Sequence, residues 1–363
     1  MLDAQSRMNA LNELERPLYN AVLQIVRSVV GEDAFVGISR DLVASTYPAT
    51  QTVLKPDHNI NLIWDALCQR APGPFAAHCN TAVHDPVARE KIAGILAGIA
   101  PGITIPSPPP EILARFRHYG FLKFPPLLQP AQVGALAGFL SSRPNLHTQG
   151  STHRNTLADI VAAPHMLALA THPPLLELAG HVLGGPPTIV ELDAWWSHPA
   201  VDESFGPQVL HRDKDDFRAC KFFMYLTDVN DVDDGPHEYV TRTHDPAFVA
   251  QRLSELGHVD KTDAFFRTDQ AGRGMAQDVA QIFAGESIDV YGPAGTCFLD
   301  NSSGYHRGKP PRRRVRGMIS VTYGMVAYPL RLERCAEVAC PQLPPDCIDT
   351  DLARRAARLL LNG

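Results

Sequence analysis

The chain is short of cysteine, of positive charge and of long apolar runs, and each shortage excludes a class of protein. Seven cysteines in 363 residues, odd in number and scattered, do not make a disulfide framework. Lys and Arg number 33 against 39 Asp and Glu, so the net charge is -6, the pI is near 6.2, and no basic field gathers nucleic acid. No apolar run is long enough to span a bilayer, and the opening segment MLDAQSRMNALNELERP is too polar for the apolar stretch of a secretory leader. The expectation left is a cytoplasmic protein that acts on a small molecule, with no nucleic-acid or membrane partner and an oligomeric state that the sequence does not specify. At 45% apolar and 20% charged residues the composition is that of an ordinary globular chain, long enough to bury a large core.

The first hundred residues differ in character from the rest. Leu14, Leu18, Val22, Ile25, Val26 and Val29 recur at helical spacing, and Arg89 to Ile99 is a second amphipathic stretch. PGITIPSPPP, from Pro101 to Pro110, is a stiff segment poor in backbone donors that continues neither a helix nor a central strand. The expected division is therefore a helical accessory region over 1–100, a linker over 101–110, a main domain over 111–330, and a tail over 331–363 in which Arg354 to Leu361 forms a short helix. Pro130 opens a helix whose apolar side carries Leu136, Phe139 and Leu140. Strand signals concentrate between 188 and 326, broken by a polar stretch from about 245 to 280 that reads as a lid or surface insert.

One tripeptide in that strand-rich region carries chemistry. His211-Arg212-Asp213 places an imidazole and a carboxylate two positions apart, and an extended strand aims residues i and i+2 at one side. His306 follows ninety-five positions later and Arg316 ten beyond that. Two imidazoles and one carboxylate on one side of Fe(II) leave three open coordination positions, enough for a two-pronged co-substrate and O₂. By itself H-x-D recurs by chance, so its setting decides. Lys221 to Val229 reads as an aromatic-rich strand, Asp233-Asp234-Gly235-Pro236 as a turn with glycine free to take positive φ, Gly295 to Asp300 as a short strand before His306, and Arg316 to Gly324 as another.

Four blocks in order resemble the phytanoyl-CoA dioxygenase family of Fe(II)- and 2-oxoglutarate-dependent oxygenases, over roughly residues 111 to 326. They are RFRHYGFLKFPPLLQPAQVGALAGFL, HPPLLELAGHVLGG, QVLHRDKDDFRACKFFMYLTDVNDVDDGPHEYVTRTH and GTCFLDNSSGYHRGKPPRRRVRGMISVTYG. The resemblance implies a double-stranded β-helix, the jelly roll of cupin-like proteins, flanked by helices and preceded by the helical N-terminal region. It implies His211, Asp213 and His306 as the iron ligands. It also implies Arg316 as partner of the distal carboxylate of 2-oxoglutarate, a task that suits a planar fork of donors. Arg312, Arg313 and Arg314 compete for that role but read as a solvated basic loop, since only Arg316 adjoins an apolar strand. Gln208 matches a position that contacts the co-substrate in some relatives, and reads equally as a surface amide. Phe223 is placed to wall the pocket, although an aromatic residue there is more often core.

The implied reaction hydroxylates an unactivated C–H bond of a small metabolite or carrier-linked substrate, using Fe(II), 2-oxoglutarate and O₂ and releasing succinate and CO₂. Two other readings share the fold: a redox-inert metal-binding cupin acting as isomerase or lyase, which would not need Arg316, and a non-catalytic binding protein. The chain departs from the family at Gly308, where a small hydroxyl residue is usual, and at Thr241-Arg242-Thr243-His244, where a Pro-Gly-Ser-His turn is usual; His244 reads as a loop residue and not a ligand. Cys335, Cys340 and Cys347 lack a C-x-x-C pair and do not fit a zinc site, and Asp228 to Asp234 lacks the pattern of a calcium loop and reads as a solvated hairpin. In IVELDAWWSHP, Asp193, Trp195 and Trp196 are candidates to line the pocket, with the two tryptophans on opposite faces of one strand.

Overall fold

Side chains that alternate between two faces of a strand build two antiparallel sheets with different surroundings on each side. In the computed structural model, residues 3–46, 72–143, 147–199, 206–267, 273–338 and 348–361 are described. The strands are β1 (Phe121–Phe124), β2 (His147–Gln149), β3 (Thr152–Arg154), β4 (Thr188–Ser197), β5 (Ala219–Tyr225), β6 (His237–Val240), β7 (Ser287–Val290), β8 (Cys297–Asp300), β9 (His306–Gly308) and β10 (Arg316–Gly324). Seven form one sheet in the order β1-β8-β5-β10-β4-β3-β2, and three form a second in the order β7-β6-β9. Every pairing is antiparallel.

The period of two decides which side chain goes where. On β4, Leu192, Ala194 and Trp196 pack into the large core, joined by Phe222 and Met224 of β5 and by Ile319 and Val321 of β10. The alternate residues Phe223, Tyr225, Met318 and Phe298 turn the other way and meet Val290 of the small sheet, with Trp195 packed at the edge of this cluster. The adjacent tryptophans do face apart: Trp196 is in the core with its indole N–H on Asn155, and Trp195 borders the space between the sheets. A register shift between Thr322 and Tyr323 bends the end of β10 against β4.

Helices cover the outer face of the large sheet. Helix Ala4–Val30 is buried along Leu11, Glu15, Tyr19, Val22, Ile25 and Val26, so Val22, Ile25 and Val26 of the expected apolar face do turn inward, while Leu14 is exposed and its neighbour Glu15 is buried in its place. The reason is polar: Glu15 forms a buried pair with Arg358 at 2.8 Å, the Tyr19 hydroxyl donates to the Ala327 carbonyl at 2.5 Å, and Arg7 donates to the Cys335 carbonyl at 3.2 Å. The first and last helices are thereby tied together, and one apolar cluster runs from Leu11 to Leu360. No helix or strand forms over 101–109, and Pro110 opens helix Pro110–Tyr119. The Arg354 to Leu361 stretch is two short helices, Asp351–Ala356 and Arg358–Leu361. Among the described residues no helix is long and apolar enough to cross a membrane.

The stretch expected to be a lid or surface insert is an insert, and its described residues form helices Pro246–Glu255, Thr262–Arg267 and Arg273–Ile282. Val249 and Leu253, then Val279, Ile282 and Phe283, fall at helical spacing and bury against Phe265 and Phe266. Leu210 and Tyr305 belong to the same cluster. None of the described residues of the insert lines the cavity that holds His211 and His306.

Candidate metal centre

His211, Asp213 and His306 converge, their ligand atoms all within 4.8 Å of one another. The expectation that a β-strand aims the H-x-D pair is not met, because 212–214 lie outside any strand. Pairing does the work residue by residue: His211 and His306 exchange both backbone hydrogen bonds at 2.9 Å, and the Asp213 N–H donates to the Ser302 carbonyl at 2.8 Å. Side chains of such a pair lie on one side of the ladder, and the two rings stand 4.3 Å apart between centroids.

Each ring is oriented through its other nitrogen. His211 Nδ1 lies 2.8 Å from the Val209 carbonyl and His306 Nδ1 lies 2.9 Å from the Gly304 carbonyl, so Nδ1–H donates and Nε2 turns inward. The Nε2 atoms stand 3.6 Å (His211) and 3.4 Å (His306) from the Asp213 carboxylate. Burial, and then His306, push His211 down to about 4, so its ring is neutral at pH 7. Burial would also lower His306, but Asp213 outweighs it and raises that ring. Asp213 is held well below the usual carboxylate range: burial opposes this, and Lys221 and His306 prevail. Two neutral-capable imidazoles and an ionised carboxylate form a donor set that fits a divalent transition metal.

The residue between His211 and Asp213 anchors them. Arg212 donates from Nε to the Ser303 carbonyl at 2.5 Å and from Nη1 to the Phe265 carbonyl at 3.0 Å, and its guanidinium lies over Phe266 and Tyr305. The Thr241–His244 turn is structural: the Thr243 hydroxyl accepts from Tyr305 N–H at 2.8 Å, next to His306. His244 points to the Arg117 carbonyl at 3.0 Å, away from the ligands.

The three residues open into a cavity of about 640 Å³ between the sheets, which Arg316, Gln208 and Phe223 also line. Arg316 is 2% exposed and held by the carbonyls of Gly235 and Lys309 and by the Ser197 hydroxyl, with Nε left without a partner. Its rivals turn elsewhere: Arg312, Arg313 and Arg314 pair with Asp233, Asp231 and Asp234. Gly308 makes room for the guanidinium, since a β-carbon there would lie 2.7 Å from Arg316 Nη2. Gln208 is buried at 7% exposure, which removes the surface-amide reading. Phe223 both packs, stacked on Phe298 at 5.2 Å, and walls the cavity.

Two cavity residues escaped the sequence. His237 lies opposite Gly308 in the ladder, its ring 5.8 Å from that of His306 and its Nε2 3.0 Å from the fully buried Asp300. A histidine directly after Gly235-Pro236 is a position that could have drawn notice. Lys221 lines the cavity with Nζ 2.5 Å from Asp213 Oδ2. The cavity lining also includes Glu191, Asp193, Glu333 and Glu337, of which Asp193 is paired with Arg154 and Glu191 with Arg334. Among the described residues no other cluster could hold a metal; Cys335 is a buried free thiol, and Cys340 and Cys347 lie outside the described residues.

The acidic turn is not wholly solvated. Asp234 is 1% exposed and accepts from Asn230 N–H at 2.8 Å, Arg314 at 2.6 Å and Arg313 at 2.9 Å. Burial would raise this carboxyl, but Arg314, the Asn230 amide and Arg313 hold it well below its ordinary value. A depressed folded pKa stabilises the fold above the unfolded value of about 3.9, and that stabilisation is lost as the pH falls through the folded value. Asp234→Asn is expected to lower the unfolding midpoint at pH 7, with the gap to wild type closing towards pH 2; urea melts at the two pH values check this. The same turn sets Gly235 at φ 71°, where a β-carbon would strike Lys309 and Pro311, and so delivers the carbonyl that holds Arg316.

The chain matches no family model and no curated protein. Among solved structures it is similar to HygX from Streptomyces hygroscopicus with nickel and 2-oxoglutarate bound, at 19% identity over 60% of this chain and 87% of that one, TM-score 0.41. It is also similar to the α-ketoglutarate-dependent epimerase SnoN from nogalamycin biosynthesis, at 18% identity over 59% and 81%, TM-score 0.41. A third is EctD from S. alaskensis with bound Fe, at 15% identity over 62% and 81%, TM-score 0.42.

Proposed function

We propose that this chain is an Fe(II)- and 2-oxoglutarate-dependent oxygenase built on a double-stranded β-helix, with His211, Asp213 and His306 as the metal ligands. The observation that carries the reading is the joint one: two inward Nε2 atoms and one carboxylate within 4.8 Å, in the same cavity as a buried arginine with an unpartnered Nε. Iron, once bound with 2-oxoglutarate and O₂, supplies oxidation of an unactivated C–H bond with release of succinate and CO₂.

The chain's own residues prepare the site. The hydrogen bonds to Val209 and Gly304 fix both rings before any metal arrives, so little ordering remains to be done. The proton that Asp213 favours on His306 must leave before Nε2 can act as a ligand, so metal loading competes with protons there. Arg316 offers the distal carboxylate of the co-substrate a charge placed by three acceptors of the protein. Phe223, stacked on Phe298, keeps water from one wall, and Gln208 supplies an amide to the lining. The substrate is a small metabolite or the end of a carrier-linked one. The described helices within residues 1–100 serve as an accessory layer, supported by the seat of helix Ala4–Val30 against the C-terminal helices.

The test is succinate formation from 2-oxoglutarate with Fe(II) and O₂, with and without candidate substrates. Turnover that needs all three supports the reading, and metal binding without 2-oxoglutarate consumption overturns it in favour of a redox-inert cupin. The product is expected to be hydroxylated or otherwise oxidised and not halogenated, because Asp213 fills the coordination position that a halide would need. Mass spectrometry of a reaction in ¹⁸O₂ with excess chloride and bromide checks it; a halogenated major product would show the expectation wrong.

A further inference from the structure

Lys221 stands in the middle of the large sheet, paired with Thr322 on one side and Asp300 on the other, and its side chain is only 14% exposed. A lysine in such a place is costly unless its charge is met. Two carboxylates meet it: Asp213 Oδ2 at 2.5 Å and Asp215 Oδ2 at 2.7 Å. Asp215 is in turn held by Arg331 of helix Pro329–Ala336, which also stands 3.8 Å from Glu191.

The second carboxylate is what gives the arrangement meaning. Were Lys221 present only to neutralise Asp213, one carboxylate would be enough. With Asp215 balancing the ammonium, Asp213 keeps its charge for a metal and receives from Lys221 a directed hydrogen bond. A carboxylate has two oxygens, and a metal can take one or both. We propose that Lys221 is a positioning residue that occupies one oxygen of Asp213, so that the carboxylate presents a single oxygen to the metal and three coordination positions stay open. This rests on the metal reading given above. Its consequence is selective: without Lys221 the carboxylate is free to close with both oxygens, which leaves the metal held but removes a position needed by a two-pronged co-substrate.

Co(II) titration of the full chain tests this without turnover, since Co(II) absorption in the visible strengthens as coordination number falls. In Lys221→Met, Co(II) affinity is expected to stay level or rise, the Co(II) bands to weaken, and 2-oxoglutarate affinity of the Co(II) protein to drop about tenfold. In Asp215→Asn, which retains the lysine, the unbalanced ammonium is expected to lower Co(II) affinity about tenfold. Wild-type protein that binds no Co(II) overturns the metal reading itself, and this proposal with it. Wild-type binding with an unchanged spectrum and unchanged 2-oxoglutarate affinity in Lys221→Met overturns the role of Lys221 alone. Loss of both affinities together with a fall in unfolding midpoint assigns Lys221 to structure and overturns it as well. A drop in 2-oxoglutarate affinity without any change in the Co(II) bands makes Lys221 a direct co-substrate contact, and this too overturns the positioning role.

Discussion

His306→Ala is expected to remove metal binding and turnover while the chain still folds cooperatively. On the proposed reading the ring supplies one of three ligand atoms; it is 3% exposed, and its neighbour His237 directs Nε2 to Asp300 at 3.0 Å. Loss of a direct ligand should cost more than the roughly 10–100-fold in metal affinity that loss of an outer partner costs. Truncating a large buried side chain costs about 2–4 kcal/mol, which lowers the unfolding midpoint without abolishing the transition. Asp213→Ala is the harsher change, because it leaves Lys221 with one carboxylate fewer, and breaking a buried pair costs about 3–5 kcal/mol. Asp213→Asn keeps the shape and separates the two effects. Metal titration and circular dichroism melts on each variant check this; wild-type turnover in His306→Ala would refute the triad.

Arg316→Lys is expected to raise the KM for 2-oxoglutarate about ten- to hundredfold, with kcat changed far less. A charged hydrogen bond contributes about 1.5–3 kcal/mol, and each 1.4 kcal/mol is a factor of ten. Lysine keeps the charge but cannot reach the Gly235 and Lys309 carbonyls and the Ser197 hydroxyl with a planar fork, so the remaining donor is no longer aimed. Steady-state kinetics with 2-oxoglutarate varied would show it. An unchanged KM would refute the co-substrate role of Arg316, and the pairing of Arg312, Arg313 and Arg314 with the acidic turn leaves none of them ready to take it over.

The parts of this site that the sequence disclosed are those written in short spacing. H-x-D puts two candidate ligands within one turn of chain, Arg316 heads a nine-residue strand, and Asp193 and Trp195 alternate with the core residues of β4. What it concealed depends on register between distant segments. Lys221 opens an aromatic strand and looks like a solvent-facing end; only pairing with Thr322 and Asp300 buries it beside Asp213. His237 acquires its place from the strand that contains Gly308 and from Asp300 on a third strand. The insert itself was legible, but its helical packing was not: its charged residues are numerous, and the few apolar ones, Val249, Leu253, Val279, Ile282 and Phe283, form a stripe visible only when read at helical period. The inward face of the first helix was legible at Val22, Ile25 and Val26, but its polar members Glu15 and Tyr19 were missed because their partners, Arg358 and the Ala327 carbonyl, lie at the other end of the chain.

Leu210 and Tyr305, each one residue before a histidine of the triad, are both rooted in the core of the helical insert. The two imidazoles thus hang from a common hook that is fastened some distance from the cavity. A loosened hook would be noticed first as iron that comes and goes, and only later as a protein that melts early. Truncation of Val249 or Phe283, neither of which borders the cavity, would on this view mimic a ligand defect, and its signature would be rescue of activity by excess iron.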